Sequence, residues 1–245
     1  IGWDKGVPAK IAMGFNNIPC AMITNDPNIK TLKDFTKASK IAIPSPGSVQ
    51  DIMIAMAAQK ELKNPKALQE NLVSMPHPDA MAALLAKKDL SAHYATPPYN
   101  FEELAQPGYH EVVSDKTAFG GEYSFNVGIV TDKFRKESPL AYAAFIQAMN
   151  DAMAWINENK AEAAKLLAPE FKLTEEKTLK YLNWEGMNFT SAPYGLMGFA
   201  DFMKEAGFIG KVPQKLSDIA TENVLAIVGS RSGGASLYEQ AQYRK

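Results

Sequence analysis

The strongest candidate for a chemical role is the segment from Pro44 to Gln50, which separates a strand-like run from a helix-like run. The main-chain N–H groups of residues 47–50 are therefore expected to face a crevice. A helix N-terminus carries unpaired donors and about half a unit of positive charge, which suits an anion. Gly47 allows close approach to the backbone, and the Ser48 hydroxyl adds a donor. The candidate contacts are Gly47, Ser48, Val49 and Gln50; the alternative is a proline-rich turn in which Ser48 only caps the helix.

A second candidate segment is Thr96 to Tyr99, which follows another short apolar run. In open α/β sheets a ligand occupies the crevice beyond the carboxyl ends of the strands. Thr96, Pro97 and Tyr99 are therefore candidate contacts, and the Tyr99 ring is expected to stack on a ligand or to hydrogen-bond it. The alternative for Tyr99 is a packed side chain whose hydroxyl finds a partner within the protein.

A third set of candidates flanks two apolar segments, 18–25 and 123–131. Asn16 precedes the first segment, while Tyr123 and Ser124 begin the second. If both segments cross between two lobes, these polar residues lie beside a hinge, where two-lobed receptors contact their ligands. The alternative for Asn16 is an ordinary turn residue.

Motifs for covalent or metal chemistry are absent from the sequence, which contains no G-x-S-x-G, no H-E-x-x-H and no Walker A motif. His77, His93 and His110 lack the paired spacing of metal ligands, so each is expected to have a structural or surface role. Cys20 is the one cysteine, which excludes an internal disulfide and favours packing over nucleophilic chemistry. We therefore expect no catalytic residue, no metal and no cofactor.

The balance of charge argues against a nucleic-acid partner. The 245 residues include 26 Lys and Arg against 27 Asp and Glu, whereas phosphate binding requires a basic surface. A hydrophobic content of 46% is ordinary for a globular protein with a buried core. The apolar runs fall short of the roughly 20 residues that a membrane span needs.

The elements that must position these residues alternate between strand and helix. This alternation predicts an α/β fold with a parallel sheet and right-handed crossovers. The predicted elements are strands at 40–43, 72–75 and 90–94 and helices at 49–62 and 80–87. Thr31 is expected to cap a short helix, and Asp79 to cap or complement the helix at 80–87.

Beyond a last strand signal at Glu122 to Thr131 the chain becomes helical. Ser138 and Pro139 supply a cap and a first-turn proline for the first of these helices. The predicted helices are 140–159, 161–167, 174–187 and 195–206, and 229–245 is a tail without a clear pattern. The layout predicts lobe 1 from 1–24 and 125–245, and an inserted lobe 2 from 25–124, joined by two crossing strands that act as a hinge.

Several stretches together resemble the nitrate/sulfonate/taurine-type solute-binding proteins of ABC importers. Each stretch is weakly specific, but their order and spacing over about residues 1–230 make the set fairly specific. The matching stretches are 6–8, 10–15, 23–25, 31–35, 40–44, 46–48, 75–85, 190–197 and 199–203. The resemblance implies a type II periplasmic-binding-protein fold, with two α/β lobes that close on a solute and deliver it to a membrane permease. It maps the family's strand-to-helix Gly-Ser onto Gly47-Ser48 and its later loop onto Thr96 to Tyr99.

The resemblance also implies a bacterial protein that is exported, periplasmic or tethered to the membrane, and that works as a monomer. Family members begin with a β/α segment that this chain lacks, so the natural product is expected to be longer and to carry an export signal. The expected solute is small and anionic or polar: a sulfonate, nitrate, a carboxylate or a pyrimidine. The alternatives are a desulfinase-like or pyrimidine-synthase-like enzyme on the same fold, and a sensor or interaction module.

Overall fold

The computed structural model describes residues 1–231. Its strands are β1 (Ala9–Asn17), β2 (Ala21–Thr24), β3 (Ile41–Ile43), β4 (Leu72–Ser74), β5 (Ala92–Ala95), β6 (His110–Ser114), β7 (Asn126–Thr131) and β8 (Asn188–Phe189). Its α-helices are α1 (Val49–Leu62), α2 (His77–Leu85), α3 (Tyr99–Leu104), α4 (Asp115–Phe119), α5 (Asp132–Glu137), α6 (Pro139–Glu158), α7 (Lys160–Phe171), α8 (Glu175–Leu182), α9 (Leu196–Glu205) and α10 (Glu222–Arg231). Short 3-10 helices span Leu32–Asp34, Gln69–Asn71 and Leu216–Asp218.

The chain divides into two compact units. Unit 1 comprises Ile1–Asn17 and the chain from Glu122 onward, and unit 2 is Ile18–Gly121. The predicted lobes instead divide the chain after residues 24 and 124. The first difference arises because β2 hydrogen-bonds to β5 and β6 and therefore belongs to the sheet of unit 2.

Unit 2 is built on a five-stranded sheet in the order β4-β3-β5-β2-β6. β3 runs parallel to β4 and to β5, whereas β2 runs antiparallel to β5 and β6. The α/β fold is confirmed, but the expectation of a purely parallel sheet holds only for β3, β4 and β5. The reason is that β2 runs opposite to β5 and β6, the two strands between which it lies in the sheet.

The core of unit 2 lies between this sheet and its helices. β3 is buried at all three of its residues, two isoleucines and an alanine, as expected for a strand inside a sheet that is covered on both faces. α1 is buried over nine consecutive residues, Gln50 to Ala58, as expected for a helix surrounded by protein. Helix α1 has the predicted bounds, and it ends at Lys63 in the left-handed conformation.

Unit 1 contains a three-stranded antiparallel sheet in the order β7-β1-β8. Central strand β1 passes very close to the segment that follows β8. The Gly14 amide donates to the Ser191 carbonyl at 2.8 Å, and a Cβ on Gly14 would lie 2.9 Å from the carbonyl oxygens of Thr190 and Ala192. Glycine is therefore required at this approach.

The helices of unit 1 follow the predicted pattern with shifted ends. The helix at 140–159 is confirmed as α6, with Pro139 in its first turn. The helix predicted to reach Met187 ends earlier, since α8 stops at Leu182; Thr174 caps it by accepting from the Lys177 amide. No helix within residues 1–231 is both long and apolar enough to cross a membrane.

Two smaller predictions concern unit 2, and a third concerns the C-terminus. Thr31 caps a short 3-10 helix, as predicted. Asp79 does not cap α2, which begins at His77 after Pro76; Asp79 lies in its first turn and complements the helix dipole instead. The predicted tail begins within α10, and its residues from 232 onward lie outside the described residues.

Candidate functional site

Three loops leave the same edge of the sheet in unit 2. They follow the carboxyl ends of the parallel strands β3, β4 and β5, with β3 lying between the other two. The first two loops are joined directly: the Met75 amide donates to the Ile43 carbonyl at 2.8 Å, and the Ser74 hydroxyl donates to the Pro44 carbonyl at 2.9 Å. The arrangement is the one in which open α/β sheets bind ligands.

The first loop leads into helix α1, where part of the expected donor set is already used. The Ser48 hydroxyl accepts from the Asp51 amide at 3.3 Å and so caps the helix. The Gly47 amide donates to the Asp51 carboxylate at 2.8 Å, and the Ser48 amide donates to the Ser45 carbonyl at 3.2 Å. The Gly47 and Ser48 amides are therefore used within the chain, and the expectation that all four amides face a ligand is reduced to a prediction for Val49 and Gln50, whose amides precede the first intrahelical bond.

The carboxylate of Asp51 changes the electrostatics of this helix end. Its side chain is buried, and burial raises the pKa of the carboxyl group while the hydrogen bond from the Gly47 amide opposes that rise. A negative charge here complements the positive end of α1. It also competes with an external anion for the same helix end.

A chain of hydrogen bonds begins at Gln50 in the first turn of α1. The Nε2 atom of Gln50 lies 3.2 Å from Nε2 of His77, at the start of α2. The Nδ1 atom of His77 lies 2.7 Å from Nε2 of His93 on β5. The Nδ1 atom of His93 lies 2.6 Å from Oε1 of Glu103 on α3. We call these four residues the relay; it joins one helix end at the site to a fully buried carboxyl group.

The donor and acceptor of each hydrogen bond in the relay follow from the groups at its ends, the Gln50 amide and the Glu103 carboxylate. With its NH2 group toward His77, the Gln50 amide donates to Nε2 of His77, and the proton of a neutral His77 is then on Nδ1. That Nδ1–H donates to Nε2 of His93, whose own proton is on Nδ1 and is donated to Glu103. In each of the three hydrogen bonds the donor is therefore the group nearer Gln50 and the acceptor is the group nearer the Glu103 carboxylate. Both imidazole rings are neutral in this arrangement.

Burial shifts the pKa values of Glu103 and His77 in opposite directions. His93 and Glu103 are fully buried, and Oε2 of Glu103 has no hydrogen-bond partner within the described residues. Burial raises the pKa of Glu103, and the hydrogen bond from His93 opposes the rise. Burial is the main cause that lowers the pKa of the half-buried His77 to about 4.

The third loop places Tyr99 beside the relay. Its ring stacks on His77 with centroids 5.5 Å apart and an interplanar angle of 22°. Thr96 is buried, and its carbonyl accepts from the Asn100 amide at 3.2 Å; Pro97 is half-buried and precedes the cis peptide bond to Pro98. Within the second candidate segment, Tyr99 is the residue that contacts the relay.

The candidates in unit 1 are packed into their own unit. Ser124 accepts from the Tyr194 amide at 3.0 Å through its hydroxyl and donates its own amide to the Tyr194 carbonyl at 3.1 Å. Tyr123 is buried edge-on against Phe199. Asn16 is half-buried in β1, where it pairs with Asn126 and Phe189. Within unit 1 these residues hold β1 and the start of β7, so their role as ligand contacts stays a prediction.

Sequence reasoning missed His77, His93 and Glu103 as parts of a site. His77 and His93 hydrogen-bond to each other, whereas His110 lies apart and binds the Ile29 carbonyl at 2.8 Å; a structural or surface role stays the prediction for all three. A usable signal was the polar His93 within a buried apolar strand. In residues 1–231 no group of three or more His, Cys, Asp or Glu side chains is arranged to hold a metal ion.

A known protein family matches the sequence of this chain. The profile of the NMT1-like family matches residues 5–168, more than half of the sequence. The chain belongs to the NMT1-like family. The match includes all of unit 2, and therefore the three loops and the relay. No curated protein sequence matches this NMT1-like chain.

Solved structures resemble the NMT1-like chain in fold. The periplasmic aliphatic sulphonate binding protein SsuA from Escherichia coli is 16% identical, with a TM-score of 0.68 over 90% of this chain and 71% of that one. A ligand-binding component of an ABC-type import system from Staphylococcus aureus, with zinc bound, is 13% identical, with a TM-score of 0.70 over 92% and 76%. The desulfurization enzyme DSZB is 13% identical, with a TM-score of 0.62 over 91% and 80%. These likenesses show that the fold is that of the periplasmic binding proteins.

Proposed function

We propose that this NMT1-like chain is the solute-binding component of an ABC importer and that it captures a small anionic solute, with sulfonates as the leading class. The observation that carries this proposal is the meeting of three loops at one sheet edge, beside the two available first-turn amides of α1. Membership of the NMT1-like family and the likeness in fold to SsuA support it. Nitrate and carboxylates are the other members of this anionic class, and an uncharged pyrimidine lies outside it.

The chemistry of the edge fits an anion attached to a small organic group. The amides of Val49 and Gln50 are donors at the positive end of a helix of 14 residues, and they suit sulfonate oxygens. The stacked rings of Tyr99 and His77 offer a flat, partly apolar surface for the remainder of the solute. The amides select for negative charge, while the rings select for size and shape.

The proposal extends to location and partners. As a binding component, the protein acts outside the cytoplasmic membrane, either in the periplasm or tethered to the membrane. It works as a monomer and delivers its solute to a membrane permease. The proposal assigns it no enzymatic activity.

Thermal unfolding in the presence of candidate solutes tests this function. Ethanesulfonate, nitrate, benzoate and uncharged ethanesulfonamide are compared on the same chain. A solute at one hundred times its Kd stabilises the folded state by about 2.7 kcal/mol, which raises the Tm by about 5–10 °C for a chain of this size. We expect ethanesulfonate to raise the Tm and ethanesulfonamide to leave it unchanged. Equal shifts with both compounds, or none with any anion, would exclude the proposal.

An enzyme is the second candidate function, because DSZB has the same fold and because the relay resembles the support of a general base. Incubation of the chain with an aryl sulfinate, followed by measurement of sulfite, distinguishes the two functions. Cys20 is buried, with its Sγ 3.7 Å from the Ile18 carbonyl oxygen. Turnover that is lost in Cys20→Ala while binding persists would favour the enzyme.

A further inference from the structure

The relay has a second arrangement that differs from the first by one proton. In the first, Glu103 is a carboxylate and both rings carry their proton on Nδ1, so every bond points toward Glu103. In the second, Glu103 is protonated and donates to Nδ1 of His93. His93 then donates from Nε2 to His77, and His77 carries its proton on Nε2. Both rings are neutral in both arrangements.

The conversion is balanced by a single proton from water. The proton binds Nε2 of His77, the Nδ1 proton of His77 moves to Nε2 of His93, and the Nδ1 proton of His93 moves to Oε1 of Glu103. The distances of 2.7 Å and 2.6 Å are those of strong hydrogen bonds, along which protons transfer with little movement of heavy atoms. Proton uptake at the half-buried end therefore removes the negative charge at the buried end.

The surroundings of Glu103 favour its protonated form, which is the form it has in the second arrangement. The carboxyl group is fully buried, its Oε2 atom has no partner among the described residues, and its charge is paired only with a neutral ring. An ionised group in such surroundings is costly, and burial raises its pKa accordingly. A positively charged imidazolium is not needed at any step.

Few other ionisable groups lie on the elements packed against the relay. β2 and β3 carry none. α2 adds the exposed Asp79, β5 adds the buried Tyr94, α3 adds Tyr99 and Glu102, and the first turn of α1 adds Asp51, which is held by the Gly47 amide. The charge that the relay gains or loses is therefore that of Glu103.

The Gln50 side chain links the reversal of the relay to a ligand at the first turn of α1. In the first arrangement its NH2 group donates to His77. In the second, His77 presents an N–H, so the Gln50 amide must turn to accept with its oxygen, which leaves the NH2 group for another acceptor. An anion at the first turn of α1 is attracted by that NH2 group and is repelled by the amide oxygen and by ionised Glu103.

We propose that the relay takes up one proton by reversing its hydrogen bonds, and that an anionic solute at the first turn of α1 is bound together with that proton. The part that concerns the solute rests on the proposed function. The reversal itself is a property of the ligand-free chain. The two parts are therefore tested separately.

The reversal is tested on the ligand-free, 15N-labelled chain by long-range 1H–15N correlation of the imidazole rings between pH 8 and pH 4.5. We expect the His77 and His93 signals to change from the Nδ1–H to the Nε2–H form at one shared midpoint. Glu103→Gln should abolish the change, and His110→Gln, outside the relay, should leave it intact. Conversion of either ring to imidazolium in this step, or unchanged tautomers, would overturn the proposal.

The coupling is tested by calorimetry with ethanesulfonate in two buffers of different ionisation enthalpy. Above the midpoint, we expect uptake of one proton and a Kd that rises about tenfold per pH unit. His77→Gln, which removes the entry point and spares the buried carboxyl group, should lose the uptake, as should Glu103→Gln if it folds. Binding without proton uptake overturns this inference and leaves the proposed function standing. Failure of ethanesulfonate to bind counts against the proposed function, and the ring titration then decides the reversal.

Discussion

The Nδ1 atom of His77 lies 2.7 Å from the Nε2 atom of His93, although 16 positions separate the two residues in the chain. One histidine opens a helix at the sheet edge and the other is fully buried in the central part of the sheet. Their contact links the first turn of α2 to strand β5. It also connects the edge where a ligand is expected to a buried carboxyl group.

Removal of the Glu103 carboxyl group should destabilise unit 2. Glu103→Ala leaves Nδ1 of the buried His93 without its partner and creates a cavity, which should lower the free energy of unfolding by about 2–4 kcal/mol. Glu103→Gln keeps an amide in hydrogen-bonding position and should cost less than about 1.5 kcal/mol. Urea denaturation of both variants measures the difference. Equal losses would show that the hydrogen bond to His93 contributes nothing.

The stability of the protein should depend on pH through His77. Its pKa is lowered from 6.5 to about 4 in the folded state, so acidification protonates the unfolded chain first. The stabilising contribution of the neutral ring is present above pH 6.5 and is lost as the pH falls toward 4. With allowance for the partial exposure of the ring, this loss is about 1–2 kcal/mol. Unfolding measured at pH 7 and pH 4 should show a smaller decrease for His77→Gln than for the unmodified chain.

Asp51→Asn should tighten the binding of ethanesulfonate. The variant keeps an oxygen to accept from the Gly47 amide but removes a buried negative charge from the helix end. The gain should be about three- to tenfold in Kd, measured by calorimetry. Glu61→Gln removes a charge from the last turn of the same helix and should change Kd by less than about twofold. If both variants have the same effect, the anion does not lie at the first turn of α1.

Gly14→Ala should destabilise unit 1. The new Cβ would lie 2.9 Å from two main-chain oxygens, of Thr190 and Ala192, and neither can move without disturbing the strand pairing. The expected cost is about 1–3 kcal/mol in urea denaturation. Gly2→Ala is the matched control, since its Cβ comes no closer than 3.7 Å to Val7 and should cost less than about 0.5 kcal/mol. Equal stabilities of the two variants would contradict the close approach of β1.

Much of the local structure could be predicted from the residues. Helix α1 has its predicted bounds because an Ala- and Met-rich run follows a serine cap. The α/β fold follows from alternating apolar runs and helical patterns. The direction of β2 was not predictable from its own four residues, since an apolar run pairs in either direction and only its neighbours in the sheet decide.

The candidate site, like the fold, has features that the sequence predicts and features that depend on the tertiary structure. The sequence by itself determined that loops follow β3 and β5 and that Gln50 and Tyr99 lie at their ends, because these features depend on near neighbours in the chain. Only the tertiary structure decided that the Asp51 carboxylate accepts a hydrogen bond from the Gly47 amide. It also decided that His77, His93 and Glu103 form one chain of hydrogen bonds. The physical reason is that a hydrogen bond between distant residues requires the sheet order and the packing of α2 and α3 against it. Those follow from the burial of the whole unit and from no single segment.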